Sequence, residues 1–172
     1  MSDINDLLAS IPVDQIASQF GVSDADAKKA VDGAVRLLTG SLEQNASQAS
    51  GAQALASALA SKDLGFLDSL SLDQIDLADG QKILGHIFGD QNDAVAQQLS
   101  GGGTQGLIQK VLPIIAPIVL AWLAKNTAQK DGGKVTADSG NVVQDILGSL
   151  TGGQKGSAGG VADLLTSVLK GL

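Results

Sequence analysis

The sequence contains no cysteine, which excludes disulfide bonds, thiolate catalysis and zinc sites built from cysteine. It has a single histidine, and its aspartates are scattered. A transition-metal site needs several ligands held close together, and no spacing of that kind occurs. No known spacing of a Ser/His/Asp triad occurs either. We therefore expect no metal, no cofactor and no catalytic residue.

Aromatic residues are also scarce: the chain has no tyrosine, one tryptophan and three phenylalanines. The core must therefore be packed from alanine, leucine, isoleucine and valine. Side chains of this kind favour close contact between helices over a site for a large planar ligand.

Basic residues are missing from the start of the chain, where residues 1–26 include five aspartates and no lysine or arginine. Residues 16–23 fit the helix-turn-helix pattern of DNA-binding proteins. The helix that would read DNA, however, opens with Asp24 and Asp26, which repel phosphate. We expect this helix pair to serve packing, and we expect no nucleic-acid partner.

Signals for export and for a membrane span are missing as well. Residues 1–10 carry two acids, no base and no apolar run, unlike a secretion signal. Residues 111–124 are uncharged, but Lys110 and Lys125 end this run before the roughly 18 to 20 residues that a span needs. The sequence predicts a cytoplasmic protein with a buried apolar helix, and makes a membrane partner a secondary alternative.

That apolar helix contains two prolines four residues apart, Pro113 and Pro117. Each proline lacks a backbone N–H and clashes with the carbonyl four residues earlier, at a cost of about 3 kcal/mol if nothing compensates. The carbonyls of Gln109 and Pro113 therefore lose their usual helical partners. We expect a kinked central helix, with a hinge or ligand-facing groove as the functional alternative.

Apolar residues recur at helical spacing along most of the chain, and no segment alternates like a strand. The predicted fold is all-α, a compact multi-helix bundle. Residues 27–42 predict a long amphipathic helix, and Ser23 with Asp26 resembles a capping box at its start. Thr104 is expected to cap the apolar helix.

The chain divides by composition into a helical domain, residues 1–130, and a Gly-rich tail, residues 131–172. Within the domain, a short helix, a turn and a long helix occur in the same order at about 12–50 and 91–126. This order suggests two pseudo-repeated helical units.

The tail carries two short amphipathic segments, residues 142–150 and 161–169. Neither is long enough to be a stable helix alone. We expect each to dock in a groove of the helical body, on its own chain or on a neighbour. The apolar residues expected to make these contacts are Ile146, Leu147, Leu150, Leu164, Leu165, Val168 and Leu169.

His86 is the only histidine. On an apolar helix it is expected to be a hydrogen-bonded core group, able to donate to a carbonyl freed by Pro113 or Pro117. The alternative is a general base, for which Asp90 is the only nearby acid.

The string GQKILGHIFG at residues 80–89, followed by LPIIAP at 112–117, resembles the YidB-like bacterial family of unknown function (domain-of-unknown-function family 937). The resemblance covers roughly residues 4–126, and Asp32-Gly33-Ala34 stand where that family often has a proline. It implies a compact all-helical bacterial protein without an assigned activity. Its structural signature residues here are Gly80, Ile83, Leu84, His86, Phe88, Gly89, Pro113 and Pro117.

These observations predict a non-enzymatic helical module that acts by self-association, as a homo-oligomer, or by binding another protein. The alternative is a peripheral membrane or stress-associated protein that uses its apolar helices. The scarcity of basic residues near the tail argues against it. A third possibility is an enzyme or ligand-binding protein centred on His86.

Overall fold

A computed structural model describes residues 4–61, 64–150, 166 and 168–170. Most of these residues are helical, and no strand occurs among them. This confirms the predicted compact all-α fold. The helices are α1 (Ile4–Ala9), α2 (Val13–Phe20), α3 (Asp24–Ala46), α4 (Ala49–Ala60), α5 (Leu77–Phe88), α6 (Asn92–Leu99), α7 (Gly103–Lys130) and α8 (Gly140–Leu150), with short 3₁₀ turns at Leu64–Ser69, Leu72–Gln74, Gly89–Gln91 and Ala137–Ser139.

The two long helices α3 and α7 form the centre of the molecule and pack on each other. Both have buried residues on nearly every side over long stretches, which is typical of a helix enclosed by others. Gly33 in α3 makes their close contact possible, because a β-carbon built there would lie only 2.9 Å from Ile108 Cδ1. The apolar segment of α7 is therefore a core helix, as the sequence predicts.

Helix α7 continues without interruption through Pro113 and Pro117. It is also the one helix in the described ranges that is long and apolar enough to cross a membrane by length and composition. In its most apolar window, 78% of the residues are buried inside the protein. The apolar surface of α7 is thus already covered by neighbouring helices. The kink stays a prediction of the sequence.

The turn between α2 and α3 follows the sequence closely. Gly21 has a left-handed backbone, φ +63°, and ends α2. Ser23 then caps α3: the Asp26 backbone N–H donates to Ser23 Oγ at 3.1 Å, and the hydroxyl donates to Asp26 Oδ2 at 2.8 Å. The prediction that Thr104 caps α7 is wrong, because that helix begins at Gly103. Gly102 occupies the cap position, and Thr104 lies inside the first turn.

Short and long helices alternate in the same order in α2–α3 and in α6–α7. Both short helices have 8 residues, and each packs on the long helix that follows it. The shared order agrees with two units, and their pseudo-repeat stays a prediction.

Helix α8, the first tail segment, docks in a groove formed by α3, α4 and α7 of its own chain. A β-carbon on Gly140 would lie 3.3 Å from the β-carbon of Ala52, so the start of α8 lies directly on α4. The core therefore continues past residue 130, where the composition changes. The side chains that α8 buries are Val143, Ile146, Leu147 and Leu150.

The connection from α7 to α8 is held by its own hydrogen bonds. The buried Ser139 hydroxyl donates to the Asp131 carboxylate, and the Thr136 backbone N–H donates to Ser139 Oγ at 2.9 Å. Gly132 and Gly133 both take positive φ, +77° and +103°, which suits glycine. The Gly-rich composition here therefore marks a defined turn, although it reads as a linker in the sequence.

Only part of the second tail segment is described. Leu169 is half-buried and packs against the core, and Val168 Cγ1 would lie 3.2 Å from a β-carbon built on Gly33. The first contact places Val168 against α3. The other two interaction residues predicted in this segment, Leu164 and Leu165, lie outside the described residues.

Candidate interaction surfaces

Helix α5 carries most of the signature residues of the sequence. It is capped at its start by the Asp76 carboxylate, which accepts hydrogen bonds from the backbone N–H groups of Ala78 and Asp79 at 2.8 and 3.3 Å. It ends at Gly89, which has φ +52°. One face of α5 is buried against α7 and the other is open to solvent. The buried residues are Gly80, Ile83, Leu84, Ile87 and Phe88.

Gly80 is the point where α5 meets the proline helix. A β-carbon built on Gly80 would overlap the Pro113 carbonyl oxygen and lie 2.8 Å from the carbonyl carbon. This is the carbonyl that Pro117 deprives of its helical N–H partner. The Gly80 Cα thus lies against the freed oxygen, an arrangement that suits a weak Cα–H···O hydrogen bond. The structure therefore joins Gly80, Pro113 and Pro117, which are far apart in the sequence, into one contact.

A second contact ties the ends of α3 and α5 together. Asn45 Nδ2 donates to the Ile87 carbonyl oxygen at 2.7 Å, which satisfies one of the carbonyls that a helix leaves open at its C-terminus. Sequence reasoning missed Asn45, because donor and acceptor are separated by 42 positions. An asparagine near a helix end gives no signal of which distant carbonyl it will reach.

The expectation that His86 is a hydrogen-bonded core group is wrong. Its side chain is exposed, in the last turn of α5. The helical period explains this: Ile83, Leu84 and Ile87 occupy the buried face, and position 86 falls on the opposite side. The freed carbonyl of Pro113 faces Gly80, and the histidine plays no part in that contact.

We expect His86→Leu to change the free energy of unfolding by no more than about 0.5 kcal/mol, as is usual for an exposed position. Urea denaturation of His86→Leu beside His86→Gln would measure this. A loss well above that value in the leucine variant alone would show that the ring makes a hydrogen bond important for stability.

Acidic and histidine side chains do not gather into a metal site in the part of the chain that the structure describes. One cleft there has a volume of about 440 Å³ and lies among α1, α2 and α3. Its walls are mainly apolar, with two lysines and an aspartate among them. The lining residues are Leu8, Val13, Ala25, Lys28, Lys29, Val31 and Asp32.

The groove that holds α8 combines apolar burial with two polar contacts. The Gln144 side-chain amide donates to the Ala46 carbonyl oxygen at the end of α3. On the exposed side, Lys130 Nζ lies 3.1 Å from Asp145 Oδ2. A surface ion pair of this kind contributes at most about 1 kcal/mol, so apolar burial and the capped carbonyl hold α8 in place.

The comparison with protein families agrees with the signature residues of α5 and α7. A family model described as "Bacterial protein of unknown function (DUF937)" matches residues 3–126. No curated protein and no solved structure matches the chain. The match spans α1 to α6 and most of α7, including the contact of Gly80 with the proline helix. The chain therefore belongs to this bacterial family of unknown function.

Proposed function

We propose that this protein is a cytoplasmic, non-enzymatic helical module that acts through protein–protein contact, foremost with a second copy of itself. The observation that carries the proposal is the docking of α8. An amphipathic helix of 11 residues fills a groove between α3, α4 and α7. The same groove can accept the identical helix from another chain, which is a low-cost route to a dimer.

The energetics of α8 favour such exchange. A helix this short is marginal in water, so it is stabilised mainly by its groove. Fully burying a leucine, isoleucine or valine side chain contributes about 1.5 to 3 kcal/mol, and α8 buries four of them. The contacts are the same in cis and in trans. The choice between the two forms therefore depends on the connecting segment and on protein concentration.

The connection has enough length for either arrangement. Residues 131–139, if extended, span about 30 Å at roughly 3.3 Å per residue. In the cis form they are held by the hydrogen bonds of Ser139. Exchange must break these bonds, so we expect monomer and dimer to interconvert slowly.

Catalysis and membrane binding have weaker support. His86, the residue on which an enzyme hypothesis depends, is exposed on α5, away from the cleft among α1, α2 and α3. The apolar helix α7 is covered by protein and offers little surface to lipid. Binding to another protein through the α8 groove remains the nearest alternative.

The absence of cysteine from the sequence makes a sharp test possible. In the double variant Ala52→Cys with Gly140→Cys, the two β-carbons lie close to the separation of a disulfide. We expect mild oxidation to give a cross-linked monomer from the cis form and a covalent dimer from the exchanged form. Non-reducing electrophoresis of samples oxidised over a range of concentrations would distinguish them, with light scattering to measure the mass before oxidation.

The control mixes two chains that each carry one of these cysteines, with different affinity tags, after joint refolding. A disulfide between position 52 of one chain and position 140 of the other requires exchange of α8. The single variant Gly140→Cys alone reports random oxidation. A protein that stays monomeric at every concentration and forms only the internal cross-link would contradict self-association through α8.

A further inference from the structure

The turn between α7 and α8 begins with two glycines in a backbone form that other residues rarely adopt. The Gly133 backbone N–H donates to the Ala128 carbonyl oxygen at 2.6 Å, the hydrogen bond typical of a Schellman motif at the end of a helix. Gly132 and Gly133 have φ of +77° and +103°. A β-carbon built on either glycine meets no described atom within 4 Å. A substitution at these positions therefore acts through the backbone conformation alone.

Ser139 closes the same turn from its other end. The buried Ser139 hydroxyl donates to the Asp131 carboxylate and accepts from the Thr136 backbone N–H. Asp131 directly follows α7, and Ser139 directly precedes α8. One side chain thus connects the end of one helix to the start of the next, and its hydrogen bonds require the closed turn.

Helix α8 lies outside the part of the chain that the family match covers. The match ends at residue 126, within α7, so the matched body already includes α3, α4 and most of α7, which form the groove. The 11 residues of α8 are too few for a stable helix alone. This division favours release of α8 as a unit from a body that stays folded.

We propose that residues 131–139 form a latch, which sets how often α8 leaves its groove while the body stays folded. The closed latch needs left-handed backbone at Gly132 and Gly133 and the two hydrogen bonds of Ser139, and the released form needs neither. Regulation of this kind rests on the proposed function, since a second copy can enter the groove only after α8 leaves it. The opening itself is measured within one chain.

Because the chain has no cysteine, a single buried thiol in the full chain can report this release. Val143→Cys places the thiol on the fully buried side of α8, where a water-soluble reagent reaches it only after α8 leaves the groove. We expect Gly132→Ala, which forces a β-carbon into left-handed backbone, to raise the reaction rate about 5- to 30-fold. Ser139→Ala removes two hydrogen bonds and should raise the rate at least about fivefold. An unchanged rate in either variant would overturn the proposal.

A matched control makes the same exchange inside α8. In Gly148→Ala the new β-carbon meets no described atom within 4 Å, and the position is helical, so the rate at position 143 should not rise. A rise as large as that of Gly132→Ala would overturn the proposal, because the effect would then not belong to the turn.

A second thiol separates release of α8 from unfolding of the whole protein. Ala30→Cys, fully buried in α3, reports on the body. It should react at least about tenfold more slowly than Val143→Cys, because a local opening costs less than global unfolding. Its rate should also rise more steeply with urea, since global unfolding exposes more surface. Equal rates at the two positions would overturn the latch, because α8 would then leave only when the body unfolds.

Light scattering at the same protein concentrations distinguishes the two proposals. Faster release in the latch variants without any dimer would contradict self-association and support the latch. Dimers cross-linked between positions 52 and 140, with unchanged rates at position 143, would overturn the latch alone.

Discussion

Ile115→Asp is expected to leave the protein unfolded at 25 °C. Ile115 lies at the centre of α7 and is fully buried. Removing the isoleucine side chain from a packed core costs about 2 to 5 kcal/mol. The new carboxylate adds a further cost of several kcal/mol, because it would be buried without a partner. The sum is comparable to the whole stability of a typical domain, about 5 to 15 kcal/mol.

Far-ultraviolet circular dichroism and thermal denaturation would measure this loss. The control is Gln109→Asp, which introduces the same carboxylate at an exposed position of the same helix. It should keep the fold, with a change of no more than about 0.5 kcal/mol. A soluble Ile115→Asp protein with an unchanged melting temperature would show that α7 is not in the core.

Gly80→Ala and Gly85→Ala are expected to change stability in opposite directions, although both exchange the same residues in one helix. At position 80 the new methyl group would overlap the Pro113 carbonyl, a backbone group that cannot rotate aside. Overpacking of this kind costs about 1 to 3 kcal/mol. A β-carbon at position 85 meets nothing within 4 Å. There alanine should stabilise α5 by about 0.5 to 1 kcal/mol, because glycine loses more conformational entropy in a helix.

Urea denaturation of both variants would give the two free energies of unfolding, and their difference is expected to be about 1.5 to 4 kcal/mol. Gly85→Ala is the matched control, since it carries the same gain in helix propensity without the contact. If Gly80→Ala were as stable as Gly85→Ala, the close approach of α5 to the proline helix would not exist in solution.

The candidate surfaces could be predicted from the sequence only in part. The string at residues 80–89 and the two prolines identified the family and marked the residues that meet. The helical period of α5 was also enough to predict that His86 lies outside the buried face, since Ile83, Leu84 and Ile87 define that face. The prediction failed there because the apolar neighbours of the histidine in the sequence were given more weight than its angle around the helix.

For α8, the sequence predicted that Ile146, Leu147 and Leu150 would dock in a groove, and all three side chains are buried. It did not predict that the groove lies between α3, α4 and α7, nor that Ser139 fixes the connecting turn. Gly-rich composition is shared by flexible linkers and by tight turns. Only the hydrogen bonds made after folding distinguish them.

By itself, the sequence determined the all-α class, the apolar core helix and the Ser23 cap, because these depend on residue period, composition and contacts within one turn of helix. Only the tertiary structure decided that Gly80 meets the carbonyl freed by Pro117, that Asn45 caps α5, and that α8 packs in the groove between α3, α4 and α7. Each of these contacts joins segments far apart in the sequence. Which of these segments come into contact depends on how the helices pack around α3 and α7, and a pattern within one short segment does not determine that packing.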